Sequence, residues 1–385
     1  MTTDFPPLVS ILQQIPDPRR TQGRRYSLPV LLTWMSVATM CGYTSYSSMT
    51  EWASHYGSSL LRVIGFTGDR VPCKGWLSRL LRRLDVEALE ARLNEWAEAV
   101  LAWLPPSDAT EEAFSADGKA LRGSRKQGAP GAYLLSILGV RLGLVLHQRA
   151  VPEDLDVRTN EIPVLEELLR GLLAEGRLRD RVWTMDALHT QQTHAELIVQ
   201  GGGDYIMIAK GNQKTLREDI RLLFDSPQSV HFPQERAETV ERGHGRIERR
   251  QIVTSAALNA YLNWPSVGQV FRVRRETETK KSGKTREQVV YGVTSLTPER
   301  ADAAQLLNRV RCHWHIENRL HWVRDVTYNE DRSTVRCPNT PEIMAAIRNV
   351  AIGLIRLAGY TSIASACRAF AAKPERALAL IGIKS

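Results

Sequence analysis

The chain has 385 residues, of which 43% are hydrophobic, and a formal net charge of +9. A chain of this size can bury a sizeable core, and we expect two or three domains. The positive charge favours a polyanionic partner such as nucleic acid. The five cysteines are scattered and include no CxxC pair, which argues against a disulfide framework or a zinc ribbon. The most apolar run, 28–43, is short and interrupted by polar residues, so we expect a cytoplasmic protein without a membrane span.

Residues 1–107 are predicted to form a helical N-terminal DNA-binding domain that ends at a Pro-Pro break. A basic arm precedes the first buried helix and contains Arg19, Arg20, Arg24 and Arg25. Guanidinium groups bind phosphate oxygens in a bidentate manner, so these arginines are candidate DNA contacts, with a solvated loop as the alternative. A basic amphipathic helix within 74–84 is compatible with a helix-turn-helix reader, although an ordinary surface helix is the simpler explanation of that segment alone.

The region 108–224 has the pattern of an α/β layer around a mixed sheet. Short apolar runs predict strands, and amphipathic segments between them predict helices. The predicted strands are 133–140, 144–151, 182–185 and 204–209, and the predicted helices are 161–173 and 193–199.

Residues 225–291 are predicted to be a β-rich insertion with strands at 248–253, 267–274 and 288–293. Between 241 and 286 there are eleven lysines and arginines against four glutamates, an excess of seven. Such a concentration of charge favours nucleic acid binding, and a solvated sheet edge protected by basic residues is the alternative. The candidate contacts are Arg242, Arg246, Arg249 and Arg250.

Two aspartates stand where apolar, strand-like runs end or are interrupted, namely Asp117 and Asp186. A buried carboxylate without a partner is costly, and a shared divalent cation is the simplest partner for two of them. Carboxylate oxygens suit Mg²⁺ or Mn²⁺. Taken singly, each aspartate is better explained by a strand-end turn or a helix cap.

The segment 312–325 is predicted to be a helix with an apolar stripe of Ile316, Leu320 and Val323. At about 100° per residue, Glu317 lies beside this stripe within an arc of roughly 80°. The same arc contains the cationic or potentially cationic side chains of His313, His321 and Arg324. A carboxylate in this position either forms a structural ion pair or holds a metal, and we favour the metal.

Other polar residues near this segment offer competing assignments. His313 and His321 have a spacing that could bind zinc, although core or DNA-facing histidines are favoured. The rival carboxylates to Glu317 are Asp325, Glu330 and Asp331.

Four further polar residues are candidate phosphate contacts. Lys119 and Arg122 follow Asp117 and could neutralise a substrate phosphate; a salt bridge within the core is the alternative. Lys210 and Gln213 precede a predicted helix whose N-terminus could bind phosphate, and a plain strand-to-helix turn explains the same residues.

Taken in series, these motifs resemble those of the bacterial insertion-sequence transposases with a DDE triad, specifically the H-repeat-associated subfamily. The resemblance covers nearly the whole chain. The segments that carry it are 117–124 (DGKALRGS), 183–190 (WTMDALHT), 205–213 (YIMIAKGNQ), 242–250 (RGHGRIERR), 313–318 (HWHIEN) and 325–331 (DVTYNED).

The resemblance implies a ribonuclease H-like mixed-sheet catalytic core, 108–224 and 292–385, that carries the β-rich insertion 225–291. It implies a catalytic triad of Asp117, Asp186 and Glu317 that binds two Mg²⁺ ions, replaceable by Mn²⁺. The implied activity is cutting and joining of insertion-element ends in double-stranded DNA, both terminal inverted repeats and target. A bacterial cytoplasmic, nucleoid-associated homodimer on DNA is expected.

The chain departs from the wider family around its glutamate. That family has Tyr, Arg and Lys at minus seven, minus four and plus seven, where this chain has Val310, His313 and Arg324. We expect the cationic phosphate contacts to be kept through His313 and Arg324, and the tyrosine role to be absent. The alternative function is a non-catalytic or repurposed DNA-binding protein derived from a transposase.

Overall fold

The computed structural model describes residues 5–22, 24–105, 113–125, 131–152, 161–243 and 245–383. Two compact units divide the chain: the first consists of Met1–Pro106, Gly118–Asp154 and Ile316–Ser385, and the second of Ser107–Asp117 and Leu155–His315. Strand β1 (Ala113–Ala120) contributes residues to both units. The predicted domain boundary at 107/108 and His244 of the 242–250 motif lie outside the described residues.

The first unit is mostly helical. Its helices are α1 (Leu8–Leu12), α2 (Leu28–Met40), α3 (Tyr46–Ile64), α4 (Lys74–Leu81), α5 (Val86–Trp103), α10 (Thr340–Leu357), α11 (Ile363–Ala372) and α12 (Pro374–Ile381). Helix α2 is apolar on almost every side and is buried along nearly its whole length, as predicted for this run. Helix α10 is the central element, in contact with α2, α5 and α11.

The first unit also contains the antiparallel hairpin of β2 (Tyr133–Gly139) and β3 (Leu144–Val151), which packs against α5 and α10. Two turns of π-helix, Ile316–His321 and Val323–Thr327, lie between this hairpin and α10 in the sequence. A π-helix has i→i+5 hydrogen bonds and therefore wider turns than an α-helix. The segment predicted to be an α-helix is helical but has this wider form.

The second unit is built on a sheet. Its strands are β1, β4 (Val182–Met185), β5 (Asp204–Ala209), β6 (Glu235–Gly243), β7 (Arg246–Ser255), β8 (Gln269–Thr279) and β9 (Thr285–Thr294). Its helices are α6 (Glu161–Ala174), α7 (Gln192–Gln200), α8 (Lys214–Asp225) and α9 (Ala303–Cys312). One core cluster of this unit joins Val182, Ile206 and Phe271 of the sheet to Leu306 and Leu307 of α9.

The strand order identifies the architecture. In the first unit β3 pairs with β2, and the order continues through the shared strand β1 to β4 and β5 of the second unit. Strands β1, β4 and β5 run parallel, whereas β2 and β3 are antiparallel. The order 3-2-1-4-5 with this mixture of directions is that of a ribonuclease H-like sheet, so the predicted fold class is confirmed.

The β-rich insertion continues the sheet from β5 in the order β9-β8-β7-β6, all antiparallel. Its strands are longer than predicted, and β6 was not predicted. Strand β6 has the sequence ERAETVERG and its residues are mostly exposed, so it carries no apolar alternation that could reveal it. The two hairpin turns lie side by side, because the Lys280 N–H donates to the Gly245 carbonyl at 2.9 Å.

Two further observations concern expectations from composition. All five cysteines are free thiols. Among the described residues, no helix combines the length and the apolar character that crossing a bilayer requires.

A buried polar chain links three elements of the first unit. Asn349 Nδ2 on α10 donates to Gln148 Oε1 on β3 at 2.8 Å, and Gln148 Nε2 donates to Glu90 Oε1 on α5 at 2.7 Å. Burial, reinforced by the neighbouring Glu342 carboxylate, raises the pKa of Glu90 to about 8. Glu90 is therefore mostly protonated at neutral pH.

Replacement of Glu90 by Gln should stabilise the protein at high pH. The folded state holds the proton more tightly than the unfolded state, where the pKa is near 4.5. Wild-type stability should therefore fall between about pH 4.5 and 8, whereas Glu90→Gln keeps the hydrogen bond without a charge. We expect the variant to gain roughly 2–4 kcal/mol at pH 8.5 relative to pH 5, measured by urea unfolding at both values. The exposed Glu51→Gln is the control, and a gain that is equal at the two pH values would contradict the prediction.

Candidate metal centre and the surrounding cations

The parallel pairing of β1 with β4 brings Asp117 and Asp186 to neighbouring positions. Ala116 is in register with Met185, and each aspartate is the next residue in its chain. Side chains two residues apart in a strand point to the same face. Ser115 and Thr184, two residues before the aspartates, form a buried hydrogen bond of 2.7 Å between their hydroxyl groups. The two carboxylates therefore share one face of the sheet.

The turn that follows Asp186 is fixed by hydrogen bonds. The His189 backbone N–H donates to Asp186 Oδ1 at 3.1 Å, and Thr190 Oγ1 contacts the carbonyl oxygens of Asp186 and Ile208, each at 2.8 Å. The buried ring of His189 also lies 3.4 Å from the Glu161 carboxylate at the start of α6. Asp186 is thus held at the strand end by its own turn and by the helix behind it.

Glu317 lies on the first turn of the π-helix. Its side chain is 52% exposed and is 3.7 Å from Nδ1 of His321. The predicted stripe of Ile316, Leu320 and Val323 is buried. Burial lowers the pKa of His321, and the Glu317 carboxylate only partly opposes this, so the imidazole is neutral near pH 7. A neutral imidazole is the form that binds metal ions.

Within the first unit, Glu317 and His321 offer a carboxylate and an imidazole that lie 3.7 Å apart. Within the second unit, Asp117 and Asp186 offer two carboxylates at neighbouring strand ends. Carboxylate oxygens suit Mg²⁺ or Mn²⁺, and an imidazole nitrogen suits the transition metals. The chemistry of the donors therefore fits a divalent cation.

The rival carboxylates each have a cationic partner. Lys119 Nζ is 2.7 Å from Asp325 Oδ2 and 3.8 Å from Asp331 Oδ1. Glu330 is 2% exposed and binds both Arg324, at 2.8 Å, and Arg348, at 3.0 Å. Burial alone would raise the pKa of Glu330, but the two guanidinium groups hold it below its ordinary value. These carboxylates are engaged in ion pairs that hold the segment in place.

Arg324 and Lys119 are not surface cations. Arg324 is fully buried, and Lys119 is 8% exposed. In an α-helix, Arg324 would lie two turns after Glu317 on the same face, which was the reason to expect a phosphate contact. Each π turn contains roughly one residue more than an α turn, so Arg324 lies on the buried side of the helix instead. For Lys119, the alternative of a salt bridge within the core is the one observed.

His313 also has a partner within the protein. Its Nδ1 lies 3.2 Å from the carbonyl oxygen of Thr184 and 3.3 Å from that residue's hydroxyl. The imidazole therefore supports the strand that ends at Asp186. This contact gives His313 a positioning role that the sequence did not indicate.

The loop after β5 is attached to the turn that follows Asp186. Gln213 Nε2 donates to the Thr190 carbonyl at 3.0 Å, and Asn212 Nδ2 donates to the Ala187 carbonyl. Lys210 on this loop is exposed, and α8 begins at Lys214. Lys210, a candidate phosphate contact, thus lies on a loop that is attached to the turn after Asp186. The side-chain amide of Gln213 forms one of the hydrogen bonds that attach this loop.

The remaining predicted DNA contacts differ in exposure. Arg20, Arg25, Arg122, Arg242 and Arg246 are exposed. Arg19 binds Asp17 at 2.7 Å, and the exposed Arg24 donates to the carbonyl oxygens of Arg19 and Arg20. On the insertion, Arg249 pairs with Glu238, and Arg250 pairs with Glu241 and Glu248.

Sequence reasoning gave too little weight to two histidines and one glutamate. His321 was set aside as a core or DNA-facing residue, and the structure shows that it is both buried and close to the Glu317 carboxylate. His189 and Glu161 were not considered. A histidine three residues after a strand-end aspartate was the available signal for His189, whereas nothing in the sequence connected Glu161 to it.

The strand order and the acidic group define a class, that of ribonuclease H-like proteins with carboxylates gathered at a strand end. Residues 108–354 match the family model described as Transposase DDE domain, and residues 9–97 match one described as DDE_Tnp_1-associated. The chain belongs to the Transposase DDE domain family. The predicted family is therefore confirmed.

Curated relatives agree with this assignment in name. The chain is 28% identical to "Putative transposase YncI" of Escherichia coli O157:H7, with 91% of this chain and 87% of the relative covered. It is 27% identical to "H repeat-associated putative transposase YhhI" of Escherichia coli (strain K12), with 90% of each covered. A piggyBac transposase in a synaptic complex with hairpin DNA is similar over 97% of this chain and 76% of that chain, with 11% identity and a TM-score of 0.43.

The buried ion network should be essential for stability. Glu330→Gln leaves Arg324 and Arg348 buried without their shared counter-charge, a change that typically costs about 3–5 kcal/mol. We expect a loss of this size in the free energy of unfolding, measured by urea denaturation. The control is Glu95→Gln, which removes a surface ion pair with Arg92 and should cost less than about 1 kcal/mol. Equal losses in the two variants would show that the network is not special.

Proposed function

We propose that the protein is a DNA transposase that cuts the ends of an insertion element and joins them to target DNA by metal-dependent phosphodiester chemistry. Family membership supports a function in transposition. The single observation that supports the catalytic assignment is the placement of Asp117 and Asp186 at neighbouring strand ends on one face of the sheet. In this proposal Glu317 completes the carboxylate set, and the three residues would hold two Mg²⁺ or Mn²⁺ ions.

The residues of the chain have distinct roles in this proposal. When bound, divalent ions supply activation of the attacking oxygen and stabilisation of the leaving 3′ oxygen. Asp186 is fixed by the His189 amide, so its carboxylate is already oriented for a ligand. His321 supplies a neutral donor beside Glu317. Lys210, on a loop held to the Asp186 turn, would bind a phosphate of the strand being cut.

DNA binding is assigned to the exposed basic residues. The far end of the β insertion presents Arg242, Arg246, Lys280, Lys281, Lys284 and Arg286, all exposed, on two adjacent hairpins. Arg20 and Arg25 of the N-terminal arm and Arg122 are further exposed cations. Phosphate contacts of this kind supply affinity without sequence selectivity. Because two element ends are handled together, we propose that the protein acts on double-stranded DNA as a homodimer.

The carboxylate assignment predicts loss of cleavage without loss of binding. Asp117→Asn, Asp186→Asn and Glu317→Gln should each lower the rate of Mg²⁺- or Mn²⁺-dependent nicking by at least about a thousandfold, because a ligand charge is removed. Nicking is measured on a duplex that carries the flanking inverted repeats, and binding to the same duplex is measured separately. The controls Asp69→Asn and Glu51→Gln change exposed carboxylates of the first unit. Unchanged nicking in Asp186→Asn would overturn the assignment, and binding without any nicking in the wild type would favour the non-catalytic alternative.

The tip of the insertion predicts a change in salt dependence. The double variant Arg242→Gln/Arg246→Gln should weaken duplex binding, and the slope of log affinity against log salt should fall by about 2, since each lost phosphate contact contributes about 0.9. Fluorescence anisotropy between about 50 and 200 mM salt measures both the affinity and the slope. Over this salt range, two phosphate contacts change the affinity by roughly tenfold. The matched control is Arg170→Gln/Arg177→Gln, which removes the same charge from residues already paired with Glu166 and Glu175. The same slope in both double variants would contradict a DNA contact at the tip.

A further inference from the structure

A concave site lies in the first unit, beside the residues of the π-helix that follow Glu317 in the sequence. It is an open cleft of about 620 Å³, within the range of roughly 300–1,000 Å³ typical of ligand sites. The turn between β2 and β3, the π-helix and the start of α11 form its walls. Neither the family assignment nor the proposed metal centre gives this cleft a role.

The cleft is strongly basic. Arg141, Arg319 and Arg356 line it, and among the described residues its lining includes no aspartate or glutamate. The guanidinium groups donate to backbone carbonyl oxygens, Arg141 to Pro105 at 3.0 Å, Arg319 to Val140 at 2.7 Å and Arg356 to Arg319 at 2.9 Å. These contacts hold the three guanidinium groups in place around the cleft.

Arg356 is in an unfavourable environment in the absence of an anion. Burial and the neighbouring Arg319 lower the pKa of Arg356 to about 10. Its Nε is buried and has no hydrogen-bond partner among the described residues. A bound anion would offset the repulsion between the two guanidinium groups.

An aromatic ring stands at the same cleft. Trp322 lines it and is 56% exposed, which is unusual for so large an apolar side chain. Basic side chains beside an exposed aromatic ring form the combination that binds single-stranded nucleic acid, with the phosphate on the cations and the base stacked on the ring. The N-terminus of the ten-residue helix α11, capped by Ser362, adds a positive dipole end to the lining.

We propose that this cleft binds one nucleotide unit of single-stranded DNA, with its phosphate at Arg141, Arg319 and Arg356 and its base on the indole of Trp322. The inference rests on the proposed function in that it takes DNA as the substrate. Asn318 and Arg319, which line the cleft, directly follow Glu317 in the chain. A free nucleotide has the same chemistry, and the test separates the two.

The test measures binding of a fluorescein-labelled oligonucleotide of eight thymidines to the full chain by anisotropy, with EDTA present so that no cleavage occurs. Trp322→Ala and Arg141→Gln should each raise the dissociation constant at least about fivefold, the lower end of what loss of a stacked base typically causes. Tyr261→Ala, at a ring that is 69% exposed in the second unit, and Arg62→Gln, at an exposed side chain, are the matched controls. Both controls should change the constant less than twofold.

A site-specific readout complements the affinities. The same oligonucleotide with one 5-iododeoxyuridine should, on irradiation, become cross-linked to the peptide that contains Trp322, and Arg141→Gln should reduce that product. Cross-links confined to other peptides, or equal affinities in the cleft and control variants, would overturn the proposal. Displacement of the oligonucleotide by thymidine 5′-monophosphate at equal nucleotide concentration would instead identify a free nucleotide as the ligand and overturn the assignment to DNA.

The outcomes also separate this inference from the proposed function. If the wild type nicks duplex ends while the cleft variants bind the oligonucleotide like the wild type, the inference fails and the transposase assignment stands. If the wild type does not nick any duplex but Trp322→Ala loses oligonucleotide binding, the cleft is supported and the catalytic assignment fails.

Discussion

A single buried carboxylate, that of Glu330, lies between two arginines and holds the segment 316–332 against the first unit. Glu330 joins Arg324 of the π-helix to Arg348 of α10, the central helix of the first unit. Lys119, on the part of β1 that belongs to the same unit, joins the network through Asp325 and Asp331. The ion pairs thus tie the end of β1, the π-helix and the central helix together. Two residues before Lys119 is Asp117, so the anchor of the strand is adjacent to its proposed ligand.

Such a network places a constraint on function, because buried charges are costly unless every partner is present. Glu317, by contrast, is half exposed and lies 3.7 Å from Nδ1 of His321. Asp325, Glu330 and Asp331 hold the backbone in place through their ion pairs and are each less exposed than Glu317. The greater exposure of Glu317 is the physical reason to prefer it as a ligand over the carboxylates that follow it.

Much of the fold could be predicted because its core strands are short apolar runs that end abruptly at polar residues. Strands β4 and β5 have the predicted bounds, and the position of Asp186 directly after β4 followed from them. Strand β6 could not be predicted, because its alternating charges are paired across the sheet instead of buried beneath it. The form of the π-helix was also hidden, since a period of 3.6 residues was assumed and only tertiary packing selects wider turns. Because of that assumption, Arg324 was expected to contact phosphate, whereas it is buried.

The basic insertion illustrates why net charge is a coarse guide to a binding surface. Along the ribbon, Arg250 and Arg275 both bind Glu248, and Arg274 binds Glu276 and Glu287. Several of the basic side chains are therefore paired within the ribbon. The cations at the two adjacent turns lie beyond these pairs. The field is therefore concentrated at the end of the ribbon, and the sequence total could not reveal this.

The wider turns of the π-helix also affect how this chain should be compared with its relatives. An alignment that counts residues from the glutamate in steps of seven assumes that the same side of the helix returns after two turns. In this chain the count arrives at the core, where Arg324 is fully buried. Superposition of backbones, rather than spacing in the sequence, is the sound basis for deciding which cation in a relative corresponds to which in this protein.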